Sequence, residues 1–176
     1  MILGLRYFGD PILRMQAKPV EEITEEIRDL CRDMIESMLH YDGIGLAAPQ
    51  VGYLWRIFIS NVDFEDDEGK LHLCSPKVYI NPVLTNPSVT LIECNEACLS
   101  LPKLSAPVAR PLSIHLEAMD IHGNLFTEEC NGYQARNRMH EIDHLNGILF
   151  IDRIKGKRRT ALEPILRRIK SQYPPR

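Results

Sequence analysis

No stretch of this 176-residue chain approaches the run of apolar residues needed to span a bilayer, so a channel or enzyme anchored by membrane helices is excluded. The opening Met-Ile-Leu-Gly lacks the charged region and long apolar core of a secretory leader, and the five cysteines are an odd number. A disulfide scaffold is therefore not expected. A soluble protein in a reducing cytoplasm is, where cysteines are buried, metal-bound or catalytic rather than paired. Internal repeats and low-complexity segments are also missing, so nothing points to a repeat array or a disordered tract.

What is present suffices for one domain. A chain of 176 residues with 44% hydrophobic content can bury one substantial core and is too short to need two, so residues 1–176 are expected to form a single unit. The formal charge of −3 conceals an asymmetry. Residues 153–170 carry eight Lys or Arg against one Glu, a net +7 that leaves −10 elsewhere. That segment is a candidate contact for a polyanion, and the body of the chain is not.

The most informative stretch is His140-Glu141-Ile142-Asp143-His144. On a helix, residues four apart share a face, so both imidazoles can reach one metal ion with the Glu141 carboxylate beside them. The helix is expected over residues 133–145, closed by Gly147 in a left-handed cap. Ile23, Ile27, Leu30, Met34 and Met38 repeat at helical spacing after Thr24, with Glu25 and Glu26 in the first turn, which predicts a long N-terminal helix. Cys31 falls off that stripe. Short β-like runs follow at 56–60, 78–84, 89–94, 112–118 and 125–130, with a hairpin turn at His122-Gly123-Asn124 and an acidic loop at 63–69. A last helix, basic and spanning about 160–172, is expected to begin around Pro164. The order of elements predicts an α+β fold, with antiparallel sheets packed around a central metal-binding helix between an N-terminal and a C-terminal helix.

A catalytic metal site of this kind takes three protein ligands and leaves a position for water, so two histidines are not enough. Gly147 stands where a metzincin-type protease has its glycine, but six residues after His144 comes Phe150, which cannot bind a metal. A gluzincin-like site would need a downstream acid, and Glu163, beside Pro164 in a basic helix, is a poor one. Upstream, Glu96-Ala97-Cys98-Leu99-Ser100 offers a cysteine in an irregular stretch before Leu101-Pro102, with Cys94 as its rival. Earlier still, Gly43-Ile44-Gly45-Leu46-Ala47-Ala48-Pro49-Gln50 lets a backbone run close to a ligand. Its Gln50 supplies an amide able to donate to a developing oxyanion.

These three stretches, in this order and at these separations, resemble the three motifs of the peptide deformylases, and the likeness extends over nearly the whole chain. The resemblance selects Cys98 over Cys94 and implies a metal ion held by Cys98, His140 and His144. The ion would be ferrous iron, with zinc or nickel able to substitute. It implies hydrolysis of the formamide at the N-formylmethionyl end of a new polypeptide, with Glu141 carrying the proton and Gln50 and the Leu99 N–H facing the oxyanion. Ile44, Gly45, Ala97, Tyr133 and Asn137 would contact substrate. On the helix turn itself Asp143 faces away from Glu141, which makes it a candidate to pair with Arg110 behind the site, the alternative being a surface salt bridge or a helix-face charge. The readings that compete are a metallopeptidase or other metal amidase with an altered side-chain pocket, and a non-catalytic metal-binding protein on the ribosome. Basic residues 153–170 suggest contact with ribosomal RNA beside the nascent chain. Neither a membrane nor a specific DNA is implied.

The sequence departs from the family pattern at Ala97 and Lys103, both usually glycine, and at Met139, usually glutamine. Asn137 and Arg138 stand where apolar residues are usual. A methyl group at Ala97 would disfavour a positive φ, and a polar Asn137 in the methionine pocket is expected to shift its side-chain preference.

Overall fold

A computed structural model describes residues 1–175, and its layers follow from how the central strands are covered. The N-terminal helix α1 spans Glu25–His40. Thr24 caps it, its hydroxyl accepting from the Ile27 N–H at 3.4 Å. Seven strands follow: β1 (Gly45–Ala47), β2 (Ile57–Glu65), β3 (Leu71–Thr85), β4 (Leu91–Cys98), β5 (Leu101–Pro111), β6 (Ser113–Met119) and β7 (Leu125–Asn131). Helix α2 is Gly132–Leu145, and the C-terminal segment holds α3 (Gly156–Thr160) and α4 (Glu163–Gln172). The fold is thus α+β, with every strand pair antiparallel.

One sheet runs β1-β2-β3-β6-β7, and β4 with β5 forms a separate ribbon. Successive side chains on β2 point to opposite faces, and helices cover both. Ile57 and Ile59 join Leu30, Met34 and Met38 under α1. Phe58 faces the other way, with Tyr79, Leu116, Met139 and Ile142 under α2. Ser60 shares the Phe58 face, which brings a hydroxyl beneath α2. A third cluster joins Leu104 and Val108 of β5 to Phe150, Ile151, Leu166 and Ile169, so α4 is fastened to the ribbon.

Three expectations need correction. Glu96, Ala97 and Cys98 are not irregular but the last residues of β4, and residues 101–111, where the sequence predicts no strand, form β5, whose Pro102, Pro107 and Pro111 conceal it; a two-stranded ribbon tolerates them because each strand has an unpaired edge. Cys31 is not off the core stripe but fully buried in it. The last helix starts at Glu163 rather than about 160, with Pro164 in its first turn as expected, and a separate short helix α3 precedes it across Ala161 and Leu162. Among the described residues, no helix is long and apolar enough to cross a membrane.

Gly147 ends α2 with φ at 72°, and a Cβ there would lie 2.5 Å from the Arg14 carbonyl oxygen. Gly147→Ala is therefore expected to destabilise the fold by about 2 kcal/mol or more, since left-handed strain and a backbone collision add. Urea denaturation monitored by circular dichroism checks this, and an unchanged midpoint would contradict it.

Candidate active site

Every residue of α2 from Ala135 to Leu145 is buried, although seven of them are polar or charged. Each of those side chains needs a partner or a task. His140 and His144 share one face, with ring centroids 5.0 Å apart. Opposite them stands Cys98, the last residue of β4, where the ladder with β5 shifts register and turns the thiol inward. Its Sγ lies 3.2 Å from His144 Nε2. The donor atoms of Cys98, His140 and His144 all fall within 4.8 Å of one another. Cys94 is exposed on β4, outside this cluster.

A thiol and two imidazoles at this separation fit one divalent ion. The second histidine nitrogen supports the fit. His140 Nδ1 is 2.8 Å from Glu96 Oε1. An ionised carboxylate only accepts, so the ring proton sits on Nδ1 and Nε2 keeps its lone pair. Burial alone would raise the Glu96 carboxyl pKa, but hydrogen bonds and charge from Arg110 and His140 outweigh it and hold the group well below the usual carboxylate range. Arg110 donates to Glu96 at 2.6 and 2.8 Å, and Arg136 donates to it at 2.8 Å. Arg110 also donates to Asp143 Oδ2 at 2.8 Å, and Arg153 clasps the same carboxylate with two bonds of 2.6 Å. Asp143 and Arg110 thus sit together behind the ligand face.

Glu141 contrasts with its neighbours. Its Oε2 is buried and has no hydrogen-bond partner among the described residues. Burial pushes its carboxyl up to about 7, with His140 and Arg138 opposing. Gln50 is held in one orientation, because its Oε1 accepts from the Ala47 N–H at 2.8 Å. Its Nε2 therefore faces Cys98 Sγ at 3.4 Å and Ser100 Oγ at 3.2 Å.

These groups open onto a cavity of about 600 Å³, lined among others by Ile44, Gly45, Ala97, Leu99, Tyr133 and Asn137. The fit at Gly45 is close. A methyl group there would collide with Glu141 Oε1 and lie 2.8 Å from Asn137 Nδ2. Ala97 is not in the left-handed region; it lies extended on β4 opposite Ser105, so its methyl group strains nothing. Lys103 does adopt a positive φ of 61°.

In the sequence Glu96 and Ser100 stand out only as letters of the cysteine motif, and Arg136, Ser60 and Arg153 carry no assigned role in the site. Arg136 carried a usable signal, since it stands four residues before His140 on the ligand face. Ser60 carried none, because its role depends on the sheet face it shares with Phe58.

A Cys-His-His donor set beside an unpartnered helix carboxylate, in a cavity, defines a candidate metal-dependent hydrolase. The model of the family "Polypeptide deformylase" matches residues 2–160. A peptide deformylase from Thermotoga neapolitana is 40% identical over 158 residues, 90% of each chain. The crystal structure of a peptide deformylase from Ehrlichia chaffeensis superposes with a TM-score of 0.87 at 32% identity, covering 98% of this chain and 97% of that one. Another, from Acinetobacter baumannii with Met-Ala-Ser bound, gives 0.81 at 30% identity over 88% and 99%. The chain belongs to the polypeptide deformylase family.

Glu96→Gln keeps the shape but weakens the grip on the His140 ring, so metal affinity is expected to fall about 10- to 100-fold. Competition with a chelator, on protein whose circular dichroism is unchanged, measures it; equal affinity would show that Glu96 does not orient the ligand.

Proposed function

We propose that the chain hydrolyses the formamide of N-formylmethionyl polypeptides, adding water across the C–N bond and releasing formate and a free α-amine. One observation carries this reading: the donor atoms of Cys98, His140 and His144 cluster together, and Cys98 and His140 line a single cavity with Glu141, whose Oε2 is free of described partners, and the oriented Gln50 amide. Cys98, His140 and His144 would hold the divalent ion, ferrous iron by family resemblance with zinc or nickel able to replace it. When bound, such an ion supplies Lewis acidity that makes water a nucleophile near neutral pH.

The chain's own groups do the rest. Glu141 takes the proton from the attacking water and returns it to the departing nitrogen. Gln50 Nε2 and the Leu99 N–H donate to the formyl oxygen as it gains negative charge. The bare backbone at Gly45 lets the substrate lie against Glu141. Ile44, Ala97, Tyr133 and Asn137 form walls for the first side chain, and Arg110 with Asp143 steadies α2 behind the ligands. The Met-Ala-Ser bound to the Acinetobacter relative is the kind of peptide that such a reaction leaves. Glu141→Ala is expected to lower formate release from a formyl-Met peptide by about 10²- to 10⁴-fold. Metal content should stay unchanged. A variant that keeps its rate would remove Glu141 from this role.

The finer reading of location and partner is the cytoplasm, beside the ribosome that presents the nascent chain. Lys155, Lys157, Arg158, Arg167, Arg168 and Lys170 are exposed along α3, α4 and their approach. Arg158 and Arg159 are partly engaged, with Glu93 at 2.8 Å and Glu163 at 2.5 Å. Replacing Lys157, Arg158 and Arg159 together by Glu should abolish co-sedimentation with ribosomes and leave formate release from a short peptide intact. Binding that survives the replacement would defeat this contact.

A further inference from the structure

The side-chain end of the cavity is built differently from an apolar slot. Asn137 lies on α2 four residues before Glu141, so the two share a face about one turn, 5.4 Å, apart. Its Oδ1 accepts from Ser60 Oγ at 2.7 Å and from Arg138 Nη1 at 3.0 Å. Arg138 turns away from the cavity and is fully buried. It also donates to Ser60 Oγ at 2.6 Å, to the Val62 carbonyl at 2.9 Å and to Glu128 Oε2 at 3.3 Å, and it lies over the Tyr79 ring.

A guanidinium has only donors, so the atom of Asn137 that meets it must be the oxygen. The amide orientation is thereby fixed by chemistry, and Nδ2 points the other way, into the cavity beside Gly45. There it donates to none of the described residues. The two departures from the family pattern at 137 and 138 are therefore one device: Arg138 and Ser60 hold the oxygen, and a directed N–H donor is presented to the substrate.

The distance selects what meets that donor. Five bonds separate the formyl carbon of formylmethionine from its sulfur, a reach of about 6 Å at ordinary bond lengths. Glu141 Oε1 and Asn137 Nδ2 both lie within 2.8 Å of where a Gly45 Cβ would stand, so a side chain of that length running from Glu141 along Gly45 comes within reach of the amide. A thioether sulfur is a weak acceptor, whereas the oxygen of a sulfoxide is a strong one. We propose that Asn137 makes this pocket accept a methionine-length first side chain carrying an acceptor oxygen, so that the enzyme deformylates N-formylmethionine sulfoxide ends as well as unoxidised ones. The inference rests on the deformylase reading above. The reaction is the same hydrolysis, with water consumed and formate and a free amine released.

The test compares formate release from formyl-Met-Ala-Ser and from its sulfoxide, each sulfoxide epimer separately, with metal-loaded protein kept anaerobic. Wild type should process the better epimer within about threefold of the methionine peptide and separate the two epimers, because the donor is fixed on one wall. Asn137→Asp keeps the oxygen that Arg138 and Ser60 require and removes the donor. The sulfoxide-to-methionine ratio of kcat/KM should then fall at least about tenfold, and Asn137→Leu should move it the same way. Calorimetric affinities of the products Met-Ala-Ser and its sulfoxide should show the same ordering without turnover. A wild-type preference for methionine above about thirtyfold, or a ratio unmoved in the variants, overturns the inference and leaves the deformylase reading standing. No formate from either peptide overturns both. The wild-type and epimer comparisons decide the matter even where a variant does not fold.

Discussion

Glu96 is a carboxylate removed from water, and it stays ionised because two guanidiniums and an imidazole surround it. A buried pair of charges gives little net stability against an apolar replacement, but taking one member away leaves an uncompensated charge. The cluster therefore acts less as a source of stability than as a geometric lock. Glu96 is on β4, Arg110 on β5, and Arg136, His140 and Asp143 on α2. Each can be satisfied only when the ribbon and the helix stand in one relation. That relation also sets Cys98, two residues after Glu96, against the two histidines. The ligand set is thus a consequence of charge pairing two residues away.

The same logic explains which parts were legible in the sequence. His140, Glu141 and His144 lie within one turn, so the period of the helix places them without knowledge of the fold. Gln50 was readable as a residue type, but its orientation comes from the Ala47 N–H, a contact three residues away that only the turn at 48–51 creates. From the residues alone, Cys98 could not be told from Cys94. What separates them is the register shift between Ala97 and Cys98, which depends on β5, a strand hidden by its three prolines. The α+β class was readable from the order of elements, and β6 from the alternation of its residues. Ser60 was not, because a buried serine on a strand covered on both faces looks like any other position until the helix above it is known.

Polar residues on α2 fall into two groups with opposite treatment. Arg136, Arg138, His140 and Asp143 are each tied by hydrogen bonds to another element. Asn137 is tied by one end only, His144 meets Cys98 through Nε2 while its Nδ1 has no partner among the described residues, and Glu141 Oε2 is tied by nothing described. Burying a polar atom without a partner is costly, so an unpaired one persists only where the surroundings over-determine it. Here the surroundings are the tied residues on either side along the same helix.

This pattern also accounts for the unusual Asn137-Arg138 pair leading into the turn that carries His140 and His144. Arg138 under α2 would be an isolated buried charge if Glu128, the Val62 carbonyl and Ser60 did not receive it. Once it is there, the adjacent residue must offer an oxygen toward it or leave one of its donors short of an acceptor. An apolar residue at 137 could not do so, and aspartate would set a second negative charge beside Glu141. Asparagine alone among these choices satisfies the guanidinium and stays neutral beside the Glu141 carboxylate. Its second amide atom then faces the cavity. A polar wall in the pocket thus follows from charge placed on the other side of the helix, one residue along.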